Sequence, residues 1–166
     1  MSITLDGSNL TTVGVINSAT AQASTSGTSI TFTGIPSGTK RITVMFNGVS
    51  TSGANDVLIQ IGSGSATTSG YISAAGILGS STTLVTSTAG FYAPTGSASD
   101  TKIGHLIITN VSGNIWVASG LIYKGATNID VITGNITLSG VLDRVVITTV
   151  GGTDTFDAGS INILYE

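Results

Sequence analysis

Apolar and polar residues alternate with a period of two along nearly this whole chain, and few folds can accommodate that. In Lys40-Arg41-Ile42-Thr43-Val44-Met45-Phe46-Asn47, the residues Ile42, Val44 and Phe46 fall on one side of an extended chain, because successive side chains of a strand point to opposite faces. A helix would scatter the same three residues around its axis, so the spacing predicts a strand with one buried face. The alternation recurs at Ile115 to Tyr123, Arg144 to Val150 and Ser160 to Tyr165. Shorter candidates are 29–33, 57–61, 82–86, 102–109 and 136–142. β-Branched residues dominate them, which suits a pleated surface and costs side-chain freedom in a helix. The one stretch of helical composition, Ser18-Ala19-Thr20-Ala21-Gln22-Ala23, is too short to hold a helix alone and reads as a loop or a single turn.

Between the runs lie clusters of turn formers: Gly34-Ile35-Pro36-Ser37-Gly38, Ser52-Gly53-Ala54-Asn55-Asp56, Gly62-Ser63-Gly64, Pro94-Thr95-Gly96, Ser112-Gly113-Asn114 and Gly151-Gly152. Glycine supplies the left-handed backbone of tight turns, and Asn, Asp and Ser bond back to their own backbone. Many short strands punctuated in this way predict an all-β chain, an antiparallel β-sandwich of jelly-roll-like form. The 23 glycines show no Gly-X-Y period and there are two prolines, which excludes a collagen shaft. At 166 residues the chain suits one domain. We assign residues 30–166 to the sandwich, and residues 1–29 to an amino-terminal attachment segment or a first strand and loop.

Charged residues make up 8% of the chain, against roughly 25% in an average soluble domain. The surface is therefore polar through hydroxyls and amides. A net charge of -3 offers no basic footprint for nucleic acid. There are no cysteines, so disulfides and thiolate zinc sites are excluded. No apolar stretch approaches the roughly 20 residues that span a bilayer, and Met1-Ser2-Ile3-Thr4-Leu5-Asp6 lacks the basic start of a signal peptide. Synthesis in a cytoplasm without membrane insertion is expected. Open sheet edges are normally blunted with lysine, and five basic residues supply little of that. Edges or apolar faces are therefore expected to be covered by identical copies in a homo-oligomer.

Little in the chain points to catalysis. His105 is the single histidine and the one standard base for a Ser or Thr nucleophile. In phase with Ile103 and Ile107, it is expected to point inward on a regular strand as a structural or interface residue, and no nucleophile-elbow sequence accompanies it. Asp154 and Asp157 flank a bend and could offer hard oxygen ligands to calcium, but their spacing matches no complete calcium loop. Turn chemistry or pairing with Arg144 is the expectation. Asp143-Arg144 is expected to fix strand register. Glycoside hydrolysis generally needs two facing carboxylates. The only glutamate is Glu166, and Asp6, Asp56, Asp100 and Asp130 all read as turn residues. No catalytic residue, cofactor-binding residue or metal ligand is assigned. Tyr71, Phe91, Tyr92, Trp116 and Tyr123 are candidates for exposed aromatic contacts. Trp116 and Tyr123 lie on opposite faces of one strand, so at least one belongs to the core or to a subunit interface.

Two segments resemble known proteins. The block from Phe32 through Gly34-Ile35-Pro36-Ser37-Gly38 and Ile42-Thr43-Val44-Met45-Phe46-Asn47-Gly48 to Gly53 is similar to a block of tail-fibre and other virion proteins of tailed bacteriophages. The terminal block, Leu142-Asp143-Arg144-Val145-Val146-Ile147 through Gly151-Gly152 to Tyr165-Glu166, resembles the carboxy-terminal end of the same proteins. Gln60-Ile61-Gly62 and Thr68-Ser69-Gly70-Tyr71 fall where that family has similar short motifs. The likeness covers about residues 30–166. It implies a non-enzymatic β-sandwich displayed on a virion, trimeric, without catalytic residues or cofactors. Its implied partners are itself, a baseplate, neck or major capsid protein, and a host-surface glycan. Only about thirty residues precede the shared region, with no coiled coil, collagen repeat or β-helix for a shaft. Two placements are therefore expected: a short tail fibre or receptor-binding protein, or a capsid decoration protein that ties shell subunits together.

Overall fold

The computed structural model describes residues 15–80, 82–125 and 128–166. The alternating runs become strands: β1 (Asn17–Ser18), β2 (Gln22–Ala23), β3 (Ser29–Thr33), β4 (Arg41–Thr51), β5 (Val57–Ser63), β6 (Ser65–Ala66), β7 (Ile72–Leu78) and β8 (Thr82–Ser87). They continue with β9 (Phe91–Ala93), β10 (Lys102–Ser112), β11 (Ile115–Lys124), β12 (Asn128–Thr137), β13 (Arg144–Thr149) and β14 (Phe156–Tyr165). A single 3-10 turn, Val150–Gly152, joins the last two, with Gly151 at a φ of 78°.

Two antiparallel sheets result. The first has nine strands in the order β1-β14-β4-β10-β11-β12-β7-β8, with β2 also paired to β14. The second has five, β3-β13-β5, with β6 and β9 both beside β5. Their facing sides make one core. Ile42, Val44 and Phe46 of β4 meet Leu106 and Ile108 of β10 and Ile161 and Ile163 of β14 in it, and Ile30, Phe32, Ile59, Ile61, Val145 and Ile147 close it from the other sheet. The all-β antiparallel sandwich expected from the sequence is the observed architecture. Its strand count is nine and five, where a jelly roll has eight strands in two Greek keys.

Several local expectations are corrected. Of the strand expected over 136–142, only Ile136 and Thr137 are extended, as the end of β12, and Leu138 and Leu142 plug the core from the connection that follows. The 18–23 segment contributes β1 and β2, which satisfy the outer edge of β14 through Ser18↔Leu164 and Ser160↔Ala23. Residues 1–14 of the attachment segment lie outside the described residues. Asp130 is a mid-strand residue of β12 and fully buried, not a turn residue. His105 is exposed, because the inward set of β10 is Lys102, Leu106 and Ile108 while Ile103 and His105 face out. Of the aromatics expected at the surface, Tyr71, Phe91 and Trp116 are buried and Tyr92 is half-buried.

Candidate assembly surface

The outer side of the nine-stranded sheet departs from what water favours. An antiparallel sheet with one solvated face normally shows polar residues there. Strands β10, β11 and β12 instead carry apolar residues in both phases, so burying one set leaves the other outside. The ladders align the outward set into rows. Ile103 pairs with Tyr123, Tyr123 with Ile129 and Ile129 with Leu78. In the next row His105 pairs with Leu121, Leu121 with Val131, Val131 with Gly76 and Gly76 with Leu84. Leu121 is 54% exposed, Ile103 49%, Ile129 46% and Leu84 71%.

These two rows contain no Asp, Glu, Lys or Arg, and His105 stands in the second of them. Arg41, at the start of β4, pairs with Glu166, just beyond the end of β14. A shallow groove of about 360 Å³ runs over His105, Leu121 and Val131. A second, of about 630 Å³, follows β7, β8 and β12 between Ile72, Ala74, Thr86, Thr133 and Asn135. An apolar surface of this kind, poor in charge, suits burial against another protein surface.

The ionisable groups have a different address. Lys102 and Lys124 are cross-strand partners of β10 and β11 and are buried on the inner side beside Asp130. Lys124 Nζ lies 3.6 Å from Asp130 Oδ1. Neither Asp130 oxygen has a hydrogen bond among the described residues. Lys102 Nζ donates to the Pro94 carbonyl. Asp56 accepts from the Tyr92 hydroxyl and the Thr95 amide, and Asp100 accepts from the Gly96 and Ser97 amides at 2.8 and 3.1 Å.

Together these bonds hold the 94–101 connection over the end of the sheet. Burial lowers the Lys102 pKa to about 8, opposed by the charge of Asp130. Burial raises the Asp130 carboxyl, opposed by Lys124 and Lys102. The Tyr92 hydroxyl is pushed up by burial and then by its bond to Asp56. The cluster compensates itself electrostatically and ties a loop to the sandwich.

The remaining candidates from the sequence resolve into structural contacts. Asp154 accepts from the backbone and side-chain amides of Asn55, both at 2.9 Å, and Asp157 accepts from the Ser50 hydroxyl. Arg144 pairs with neither of them. Its Nε donates to Asp143 at 2.7 Å, and that contact first of all holds the Asp143 carboxyl below its ordinary range. Asp143 also accepts from the Gly64 amide at 3.1 Å, so the pair anchors the β5–β6 turn as well as the start of β13. Trp116 lies in the core and Tyr123 on the outer face at 41% exposure, the division their opposite phases require.

Compared with known proteins, the chain matches no family model, no curated protein and no solved structure.

Proposed function

We propose that this chain is a non-enzymatic structural protein on the exterior of a tailed-bacteriophage particle, acting as a short tail fibre or receptor-binding protein. The observation that carries the reading is the broad, charge-poor apolar outer face of the nine-stranded sheet, a surface suited to contact with other protein subunits of an assembly. The two segments that resemble phage virion proteins support it from another side. They are far apart in sequence, yet β3 pairs with β13 and β4 with β14, so together they build one continuous part of both sheets. The partners of this reading are further copies in a homo-oligomer, a trimer by the resemblance, together with a baseplate or neck protein and a host-surface glycan.

A second reading is a capsid decoration protein seated on the major capsid protein, and the breadth of the same face favours it, since a cement subunit must lie against a shell. Quantitative mass spectrometry of purified particles, with immunogold labelling, tests both. Label at the tail in a few copies per particle supports the fibre, and label over the head in numbers comparable to the capsid subunits supports decoration. Absence from purified particles would overturn both.

A further inference from the structure

We propose that Asn47 is a site of spontaneous covalent modification, at which the Gly48 nitrogen closes a ring on the Asn47 side chain and converts it to aspartate and isoaspartate. The proposal is independent of the virion reading. It begins with the sequence, where Asn47-Gly48 is the one Asn-Gly pair and every other asparagine is followed by a residue with a side chain. For the backbone nitrogen of the next residue to reach the side-chain carbon of asparagine, the peptide between them must swing out of its extended course. A side chain on that next residue obstructs the swing, and glycine has none.

A regular strand would still protect the pair, because ladder bonds on both sides hold each peptide in place. β4 is not regular at this point. Against β10, Asn47 pairs with Ile103 and Val49 with Lys102, and against β14, Asn47 pairs with Ser160 and Ser50 with Ala158. Gly48 has a partner in neither register. It is the extra residue of a bulge, at the left-handed φ of 66° that glycine adopts freely. Burial records the same slip, since the buried residues of β4 run Ile42, Val44, Phe46 and then Val49 and Thr51. Asn47 itself is exposed, and its side chain has no hydrogen bond among the described residues. The side-chain amides of Asn17, Asn55, Asn110 and Asn162 each donate to an acceptor. A Cβ at Gly48 would meet nothing within 4 Å, and Gly159, where a Cβ would lie 2.6 Å from the Asn47 carbonyl oxygen, has no side chain to pin that peptide.

The reaction balances with water as its only reagent. The Gly48 amide gives its proton to solvent base, its nitrogen bonds to Asn47 Cγ, and the bond from Cγ to Nδ2 breaks, so that Nδ2 leaves as ammonia with a proton from solvent. Water then adds to one carbonyl of the five-membered imide. Opening at Cγ leaves aspartate, and opening at the backbone carbonyl leaves isoaspartate, with the main chain running through Cβ. Either product carries a carboxylate where a neutral amide stood. Through the pairs Asn47↔Ile103 and Ile103↔Tyr123, that charge joins the end of the apolar row on the outer face of the nine-stranded sheet.

The test is to store the purified full-length chain at mildly alkaline pH and to follow it by ion exchange and by peptide mapping with fragmentation that separates isoaspartate from aspartate. A more acidic form is expected to accumulate, with both products at position 47, before any other asparagine changes. Gly48→Ala obstructs the swing, and Asn47→Gln lengthens the side chain so that a six-membered ring would be needed; both should suppress the acidic form. Asn47→Gln keeps an amide at an exposed position, so it decides the matter if Gly48→Ala, strained by its positive φ, does not fold. An Asn47 that stays intact, or converts no faster than Asn17 or Asn162, would overturn the proposal. Conversion to aspartate without isoaspartate would do so as well, because it would mean direct hydrolysis without a ring, and an acidic form appearing at the wild-type rate in Asn47→Gln would place the change at another residue.

Discussion

Raising the pH from about 8 to about 10 is expected to stabilise this protein, because of where β10 places Lys102. The side chain is almost wholly buried, and burial lowers its pKa from 10.5 to about 8. Between those values the unfolded chain holds a proton that the folded chain has released. Stability follows the difference in bound protons, unfolded minus folded, and therefore rises with pH in this window. At about 1.4 kcal/mol per unit of pKa, the climb from pH 8 to pH 10 amounts to roughly 2–3 kcal/mol. Above pH 10 the sign reverses. Burial holds the Tyr71 hydroxyl up to about 12 against an ordinary 10, so the folded state then keeps a proton that the unfolded state loses. A stability maximum near pH 10 results. Asp130 acts differently again: its raised pKa favours the folded state at acid pH, and that contribution is lost as pH climbs through it. The assay is the urea midpoint followed by the fluorescence of Trp116, at fixed protein concentration because association shifts apparent stability. Lys102→Met keeps the side-chain volume and removes the titrating group, so its profile should lose the rise between pH 8 and 10. A flat wild-type profile there, or an equal rise in the variant, would refute the assignment.

Two further substitutions test the packing around the sheets. Tyr71→Phe removes a hydroxyl that accepts from the Ile61 amide at 2.8 Å and donates to the Ile61 carbonyl at 3.2 Å. Leaving that buried amide without a partner should cost about 1–3 kcal/mol in chemical denaturation, and an unchanged urea midpoint would show that the bond contributes nothing. At Gly62 an added Cβ would lie 1.9 Å from the Ser65 backbone oxygen, so Gly62→Ala must displace the β5–β6 turn and should destabilise by about 2 kcal/mol or more. Gly76→Ala meets nothing within 4 Å and is expected to be neutral or to stabilise slightly in the same measurement. Equal effects of the two alanines would mean that the turn is looser than its geometry implies.

The sandwich was legible in the sequence because most strands bury one face only. In β3, β11 and β13, and in β4 as far as Phe46, the buried positions keep the phase of every second residue, and there period two and burial are the same signal. The reading failed where both phases are apolar. In β10 the run from Ile103 to Ile108 does not reveal which set faces inward, and choosing the phase of Ile103 and Ile107 turned His105 toward the core. The correct phase puts Lys102 inside, which a rule that lysines face water would reject. Yet the rejected phase held the information. Lys102 is in register with Leu106 and Ile108, and Asp130 with Ile132 and Ile136, so two strands each carried an opposite charge on their core side. Lone buried charges are forbidden by desolvation, but matched ones across neighbouring strands are not. The missing fact was adjacency: β10, β11 and β12 are consecutive neighbours, and nothing in the local pattern of any one of them states that. The same logic locates the assembly surface. A strand that is apolar in both phases favours cover on both sides, and three such strands side by side, with one side closed by the second sheet, leave the other open among the described residues.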